Sequence, residues 1–271
     1  MIGKAILKHK SIDAAVIGEG EYTMLELVEK VEERERPANI KGVIYRKEGR
    51  IIENPPRNYI KNLDEIPFPA QNLLPMDLYG EYKGAIITSR GCPYSCTFCS
   101  KPVFGKTWRA HSPSYVLREK EELITKYKAE QISFLDDEFL LDRKRAEAIL
   151  DGIIERRWKV KLYFWNGLRV DEVDEKILMK MKQAGCTTIN YGVESVDPLV
   201  LKNIKKNITL TQIEKAVKIA RKLGIKVNLF LMIGNPGDTY EHVEKIKRFL
   251  DKVEVDGVHL SMATPYIKTE F

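Results

Sequence analysis

From residue 84 onward, short apolar segments alternate with longer segments in which apolar residues recur every three or four positions. Runs of β-branched and aromatic residues predict strands, whereas the longer spacing predicts helices that bury one face. This alternation favours parallel strands joined by right-handed helical crossovers, either in an open doubly wound sheet or in a barrel. The predicted strands cover residues 85–88, 131–135, 161–165, 187–191, 227–233 and 257–262.

The helices between these strands carry start and stop signals. Ser112 followed by Pro113 predicts the start of the first helix, with Ser112 as its N-cap. Gly185 is expected just after the end of the third helix, where glycine tolerates a positive φ. Thr211 and Glu214 have the spacing of a capping box for the fourth helix.

Polar or glycine-rich residues follow most of the predicted strands. In barrel enzymes the site is built from the loops at the carboxyl ends of the strands. The pattern therefore favours a barrel over an open sheet. The loops concerned are residues 91–100, 136–138, 166–167, 192–195 and 234–237.

The composition is that of a folded soluble chain, with 44% apolar and 31% charged residues among 271. It excludes a disordered tail and a disulfide miniprotein. The 45 Lys and Arg against 39 Asp and Glu are too balanced for a dedicated nucleic-acid arm. The most apolar stretch, residues 227–233, is far shorter than the ~20 residues of a membrane span. Residues 1–10 lack the apolar core of a secretory signal, so we expect a cytoplasmic protein.

Three of the four cysteines lie within eight residues. Cys92, Cys96 and Cys99 have the spacing Cys-x3-Cys-x2-Cys, and Cys186 is far away along the chain. Clustered thiols of this kind indicate a metal or iron–sulfur centre and not a disulfide framework. Three thiolates from one loop suit three corners of a four-iron cluster and leave one iron without a protein ligand. The alternative is structural zinc, which needs a fourth ligand such as His111 or Cys186.

The cysteine loop, with Phe98 between the second and third cysteines, resembles the cluster loop of the radical S-adenosylmethionine enzymes. The resemblance covers residues 84–271 and implies an α/β fold, a partial (β/α)6 TIM-like barrel. It also implies that the free iron binds S-adenosylmethionine, which the [4Fe-4S] cluster cleaves reductively to methionine and a 5′-deoxyadenosyl radical.

The same resemblance implies roles for residues beyond the cysteines. Asp136 or Asp137 would receive the amino group of S-adenosylmethionine, although residues 136–138 could equally cap the following helix. Arg169 would pair with the methionine carboxylate or form an ordinary salt bridge. Nucleoside contacts are expected from four residues: Glu194 and Ser195 at the ribose, and Gly234 and Gly237 at the adenine. The alternatives are that Ser195 caps a helix and that the two glycines only form a turn.

Residues 1–83 are predicted to contain one strand, one helix and one hairpin, followed by a proline-rich connector. So few elements do not enclose an independent core. The segment resembles the last unit of an open α/β cobalamin-binding domain with its linker, through the residues Gly18-Glu19-Gly20-Glu21. The Asp-x-His-x-x-Gly sequence that coordinates cobalt in that class does not occur. We therefore expect an internal portion of a longer protein, incomplete at both ends, with the cobalamin site largely missing.

The resemblance implies a radical S-adenosylmethionine enzyme of the cobalamin-binding subclass, which transfers a methyl group to an unactivated carbon. Expected partners are a flavodoxin- or ferredoxin-type electron donor and a small-molecule or lipid-like substrate. One alternative is a methylthiotransferase, although that class has three further cysteines upstream and residues 1–83 contain none. A second is a zinc-holding nucleic-acid module built on the cysteine loop.

Overall fold

The computed structural model describes residues 2–271. Residues 2–53 form a small antiparallel unit in the strand order β1-β2-β3, above a minor apolar cluster that contains Ile40, Val43 and Tyr45. The expected strand, helix and hairpin are therefore present. Its elements are α1 (Ile2–Ile6), β1 (Ala14–Val16), α2 (Glu21–Glu32), β2 (Val43–Lys47) and β3 (Arg50–Glu53).

A connector of three 3₁₀ helices, Leu63–Glu65, Gln71–Leu73 and Met76–Gly84, leads into the barrel. The rest of the chain alternates strands and helices as the apolar pattern predicts. In chain order the elements are β4 (Ala85–Ile86), β5 (Ser89–Arg90), β6 (Arg109–Ala110), α3 (Pro113–Thr125), β7 (Gln131–Phe134), α4 (Arg143–Glu155), β8 (Lys161–Phe164), α5 (Glu175–Gln183), β9 (Thr188–Glu194), α6 (Pro198–Asn203), α7 (Leu210–Lys222), β10 (Lys226–Ile233), α8 (Tyr240–Lys252) and β11 (Gly257–Met262).

Six parallel strands follow one another in chain order. One sheet contains β4-β7-β8, another contains β9-β10-β11, and parallel bridges from Leu162 to Cys186 and from Leu168 to Tyr191 connect them. Within residues 2–271, β4 and β11 do not pair with each other, so the barrel is open between its first and last strands.

The two faces of these strands differ in polarity because successive side chains point to opposite sides. Ile132 and Phe134 belong to the main core, which also contains buried residues of the helices such as Ile149. The side chains that alternate with these core residues point to the concave face and are often polar. On that face Asn228 Nδ2 donates to Asn190 Oδ1 at 3.0 Å. The concave face therefore offers hydrogen-bonding groups.

Several element boundaries differ from the predicted ones. The first strand, predicted over residues 85–88, is only β4 (Ala85–Ile86), and the next two strands each end one residue early. The capping pair of α7 is not Thr211 and Glu214, because the helix begins earlier and Thr209 forms the capping box with Gln212. Strand β9 extends to Glu194, since its last residues pair with β10. Helix α6 was not predicted, although its N-cap Asp197 and the following proline are an ordinary start signal.

None of the helices within residues 2–271 combines the length and apolar character that crossing a lipid bilayer requires.

Candidate metal centre and cofactor site

The cysteine loop leaves the barrel after β4 on a short antiparallel stem. Strands β5 and β6 pair at its base, with Arg90 opposite Arg109. Gly91 then adopts a φ of +82°, and a Cβ there would lie 2.5 Å from the carbonyl oxygen of Thr107. Only glycine fits this turn, which starts the loop directly before Cys92.

The three loop thiols line one cavity of about 190 Å³. Cys92 and Cys96 are half-buried and Cys99 is exposed, and the Cys99 amide donates to the Cys96 carbonyl at 3.2 Å. Burial raises the pKa of the Cys92 and Cys99 thiols, and the neighbouring cysteines add to the effect. Cys186 lies apart in the main core, where burial raises its pKa to about 12. The loop cysteines therefore converge without it.

The three thiols do not form a single-ion site. Among residues 2–271, no group of three or more His, Cys, Asp or Glu side chains is arranged to hold one metal ion. A structural zinc ion would draw four ligands to about 2.0–2.3 Å. Three thiolates that each bind a different iron of a cluster are spread more widely. The arrangement therefore gives no support to the zinc alternative.

Contacts within and around the loop keep it in place. The Lys101 ammonium donates to the Cys92 carbonyl at 2.9 Å and to the Tyr94 carbonyl. The Thr97 amide donates to the Ile204 carbonyl at 3.1 Å, just beyond α6. Phe98 lines the cavity. Its ring centroid lies 6.3 Å from that of Phe271.

The three acids after β7 have different environments. Asp136 is buried and its Oδ1 accepts from Thr88 Oγ1 at 2.9 Å and Ser89 Oγ at 2.6 Å, so it faces the stem and does not line the cavity. Asp137 and Glu138 do line the cavity. The capping alternative for these residues is wrong, because Asp142 is the N-cap of α4.

Glu138 is the most perturbed acid of the cavity. It is buried, and among residues 2–271 its Oε1 finds no hydrogen-bond partner. Burial, with the nearby Glu172 as a second cause, raises its pKa to about 7, against the opposing effects of Arg169 and Lys206. A carboxyl group in this state is suited to accept a hydrogen bond from a cation that enters the cavity.

Arg169 lies against the cysteine loop. Its guanidinium stacks 3.8 Å from the Tyr94 ring centroid and donates to Asp171 through Nε at 3.0 Å and Nη2 at 2.8 Å. Burial works against its charge, but Asp171 holds the pKa of the guanidinium above its usual value. Arg169 thus forms the salt bridge that was one of its two expected roles and also lines the cavity.

Of the two expected ribose contacts, the structure brings only Glu194 to the cavity. Glu194 ends β9 at a register irregularity against β10, with a φ of +68°, and its Oε1 accepts from Lys206 Nζ at 3.1 Å. Residues other than glycine rarely adopt such a φ, and backbone strain of this kind is concentrated at functional sites. Ser195 is buried, and its hydroxyl accepts from the Asp197 amide at 3.2 Å.

The glycine loop after β10 does not line the cysteine cavity. Gly234 and Gly237 have φ values of +82° and +93°, as a tight turn requires. The Asn235 amide donates to Asp238 Oδ2 at 2.8 Å, and this hydrogen bond stabilises the turn. An adenine contact from this loop stays a prediction.

Sequence reasoning gave no individual cofactor role to three cavity residues: Glu138, Tyr94 and Lys206. Glu138 stood in the acidic triplet, but only the structure separates its side chain from that of Asp136. Lys206 follows the unpredicted α6, and nothing in its sequence context indicated that the lysine is buried beside Glu194.

A second, larger cavity of about 670 Å³ lies between the N-terminal unit and the barrel. Helix α2 contributes Tyr22 and Leu25, the connector contributes residues 65–70, and the barrel contributes Ile87 and Leu135. Its polar groups include Arg90, just before the cysteine loop, together with Glu21, Glu65, His111 and Glu119. The cavity is therefore mainly apolar, with charged groups at a few points.

Residues 86–250 match the family model described as the Radical SAM superfamily. The chain therefore belongs to the radical S-adenosylmethionine superfamily and has its α/β fold, as the cysteine loop predicts.

Relatives with similar sequences include an uncharacterised methyltransferase of Pyrococcus horikoshii, 41% identical over 260 residues, which cover 94% of this chain and 56% of that protein. A protein of Methanocaldococcus jannaschii, assigned by name only to the methylthiotransferases, is 30% identical over 277 residues, or 98% of this chain and 58% of that one. Among solved structures, the methyltransferase TsrM from Kitasatospora setae, with cobalamin and a [4Fe-4S] cluster bound, superposes with a TM-score of 0.79 at 21% identity, covering 95% of this chain and 52% of that one. The chain thus spans a little over half the length of these relatives.

Proposed function

We propose that this chain forms the core of a radical S-adenosylmethionine methyltransferase in which Cys92, Cys96 and Cys99 hold a [4Fe-4S] cluster. The observation that carries the proposal is the convergence of these three thiols on one cavity that also contains Glu138 and Arg169. Membership of the superfamily supports it, because the matched residues include the whole cysteine loop.

The donors around the cavity fit a cluster. Thiolates are the usual ligands of iron–sulfur centres, and all three come from one loop. Burial raises the pKa values of the Cys92 and Cys99 thiols, and the charge of Lys101 partly offsets that rise, so Lys101 favours a negatively charged centre. When bound, the cluster supplies the electron that cleaves S-adenosylmethionine, which is the chemistry of the superfamily.

Charged side chains of both signs are available for the amino-acid end of S-adenosylmethionine. Asp137 and Glu138 would accept hydrogen bonds from its ammonium group, and the free Oε1 of Glu138 is the better placed acceptor because it is buried. Arg169 and Lys206 would bind its carboxylate through charge-assisted hydrogen bonds. Asp136, in contrast, would support the stem of the loop from outside the cavity.

Glu194 would hold the ribose hydroxyls at the same cavity, where Lys206 orients its carboxylate. A corrinoid would lie against the larger cavity, because its broad ring system suits an apolar wall with a few polar groups at the edge. We extend the proposal to methyl transfer from a corrinoid to an unactivated carbon of a small-molecule or lipid-like substrate. A reduced flavodoxin- or ferredoxin-type carrier would supply the electron.

A second candidate function is methylthiotransfer, which the 30% identity to the Methanocaldococcus jannaschii protein favours. The two functions differ in the group that reaches the product, since one adds a methyl group and the other a methyl group with a sulfur atom. Mass spectrometry of the product distinguishes them.

The test is anaerobic reconstitution with iron and sulfide, followed by reduction in the presence of S-adenosylmethionine. We expect close to four irons per chain, a brown protein and formation of 5′-deoxyadenosine. Replacing Cys96 by alanine should abolish all three results, whereas Cys186→Ala, a matched control outside the cavity, should retain them. A colourless protein with one zinc per chain would refute the proposal.

A further inference from the structure

Two arginines face each other at the base of the cysteine loop. Arg90 and Arg109 are directly opposite in the two-stranded stem, and their side chains are only 13% and 9% exposed. Like charges in opposite positions of a strand pair destabilise it, and the effect grows when water is excluded. Aromatic rings cover both guanidinium groups, with Phe104 at 5.2 Å from Arg90 and Tyr59 at 4.6 Å from Arg109. The stem therefore needs a buried anion.

Glu19 supplies that anion from the N-terminal unit, 71 residues away along the chain. Its Oε1 accepts from Arg90 Nη1 at 3.0 Å, and both of its oxygens accept from Arg109 Nη1 at 2.8 and 2.9 Å. The backbone amide of Ile60 donates to Oε2 at 2.7 Å. One carboxylate thus joins the N-terminal unit, the connector and both strands of the stem.

Other anions do not replace Glu19 at this position. Within residues 2–271, Arg109 has no other carboxylate within salt-bridge distance. Glu21 binds the second terminal nitrogen of Arg90, but its side chain is 35% exposed and does not reach Arg109. Glu19 is only 3% exposed, so water does not compensate for its loss.

We propose that Glu19 is a positioning residue for the cysteine loop, through its bridge to both arginines of the stem. Arg90 is followed by Gly91 and Cys92, so the position of its backbone determines where the first thiol starts. The inference rests on the proposed function only in that the loop is taken to hold a cluster. Without the charge on Glu19, the stem opens more often and the loop loses its ordered path into the cavity.

The test compares Glu19→Gln with Glu26→Gln, a matched control that removes a carboxylate from the same N-terminal unit, where it pairs with Arg57. We expect amide hydrogen exchange in residues 91–108 to be at least tenfold faster in Glu19→Gln and within twofold of the parent in the control. Loss of iron from the reconstituted cluster to a chelator should accelerate by a similar factor. A broadened electron paramagnetic resonance signal of the reduced cluster would report the altered thiol positions directly.

A double variant, Glu19→Gln with Arg109→Gln, removes the anion together with one of the two cations. It should restore at least half of the protection lost in the single variant, and it stays informative if the single variant does not fold. Unchanged exchange in Glu19→Gln, equal acceleration in the control, or no restoration in the double variant would overturn the inference. Exchange is measured on the apo chain, so failure of the parent to bind a cluster would refute the proposed function and leave this test intact.

Discussion

Glu119 is an acid whose burial should make the stability of the fold depend on pH. It lies on α3 with 7% exposure, and within residues 2–271 its carboxylate has no hydrogen bond or salt bridge. Burial is the main cause that raises its pKa to about 7, and repulsion from Glu122 and Asp136 adds to it. We therefore expect Glu119→Gln to stabilise the folded chain at alkaline pH.

The magnitude follows from the linkage between protonation and folding. The folded pKa of Glu119 lies above the usual value of 4.5, so the folded state binds the proton more tightly than the unfolded state. The contribution of Glu119 to the free energy of unfolding is therefore most favourable below about pH 4.5, decreases as the pH rises towards 7, and then stays constant. A shift of roughly 2.5 pH units corresponds to about 3.4 kcal/mol, and partial hydration of the site reduces this to about 2–3 kcal/mol.

Urea unfolding of the apo chain at pH 4.5 and pH 8 measures this contribution. Glu119→Gln should increase the free energy of unfolding by about 2–3 kcal/mol at pH 8 and by less than about 0.5 kcal/mol at pH 4.5. Glu122→Gln is the matched control, since this side chain is 38% exposed on the same helix and pairs with Lys126. Its effect should stay within about 0.5 kcal/mol at both pH values. An equal gain at the two pH values for Glu119→Gln would refute the reasoning.

Three further predictions concern the cysteine loop, the stability of the fold and the loss of stability at acidic pH. Gly91→Ala places a Cβ 2.5 Å from the Thr107 carbonyl oxygen at positive φ, so iron per reconstituted chain should fall below half while the far-ultraviolet circular dichroism is retained. Gly185→Ala brings its Cβ within 2.1 Å of the Val160 carbonyl oxygen, and urea unfolding should show a loss of at least about 2 kcal/mol. Burial lowers the pKa of His111 to about 4, so the free energy of unfolding should fall as the pH drops from 6.5 towards 4, and less steeply in His111→Gln.

Much of the fold could be predicted because the spacing of apolar residues along strands and helices is a strong signal within short stretches of sequence. The end of β11 at Met262 and the stop of α5 before Gly185 follow from composition and turn chemistry alone. The error in the cap of α7 has a simple cause: Thr209–Gln212 and Thr211–Glu214 have the same spacing, and only tertiary packing selects between them. Helix α6 is six residues long, too short to produce a clear apolar period.

The residues of the candidate site were predictable where they share one loop and unpredictable where folding brings them together. The spacing of the three cysteines was enough to place them in one cavity, and their binding of a cluster stays a prediction. The side-chain directions of Asp136 and Glu138, in contrast, depend on the path of the chain after β7. Asp136 points to the stem, and Glu138, two residues later, points to the cavity. The bridge from Glu19 to the stem spans 90 residues at its longest, and no local pattern encodes it.

The last strand has a consequence for the behaviour of this chain at high concentration. In β10 the outward residues Leu229 and Leu231 are buried, whereas their partners in β11, Val258 and Leu260, are 40% and 59% exposed. Within residues 2–271, the far edge of β11 also pairs with no strand. An uncovered apolar row beside free backbone groups is the usual starting point of edge-to-edge aggregation. A lysine in place of Leu260 should therefore keep the isolated chain monomeric in concentrated solution.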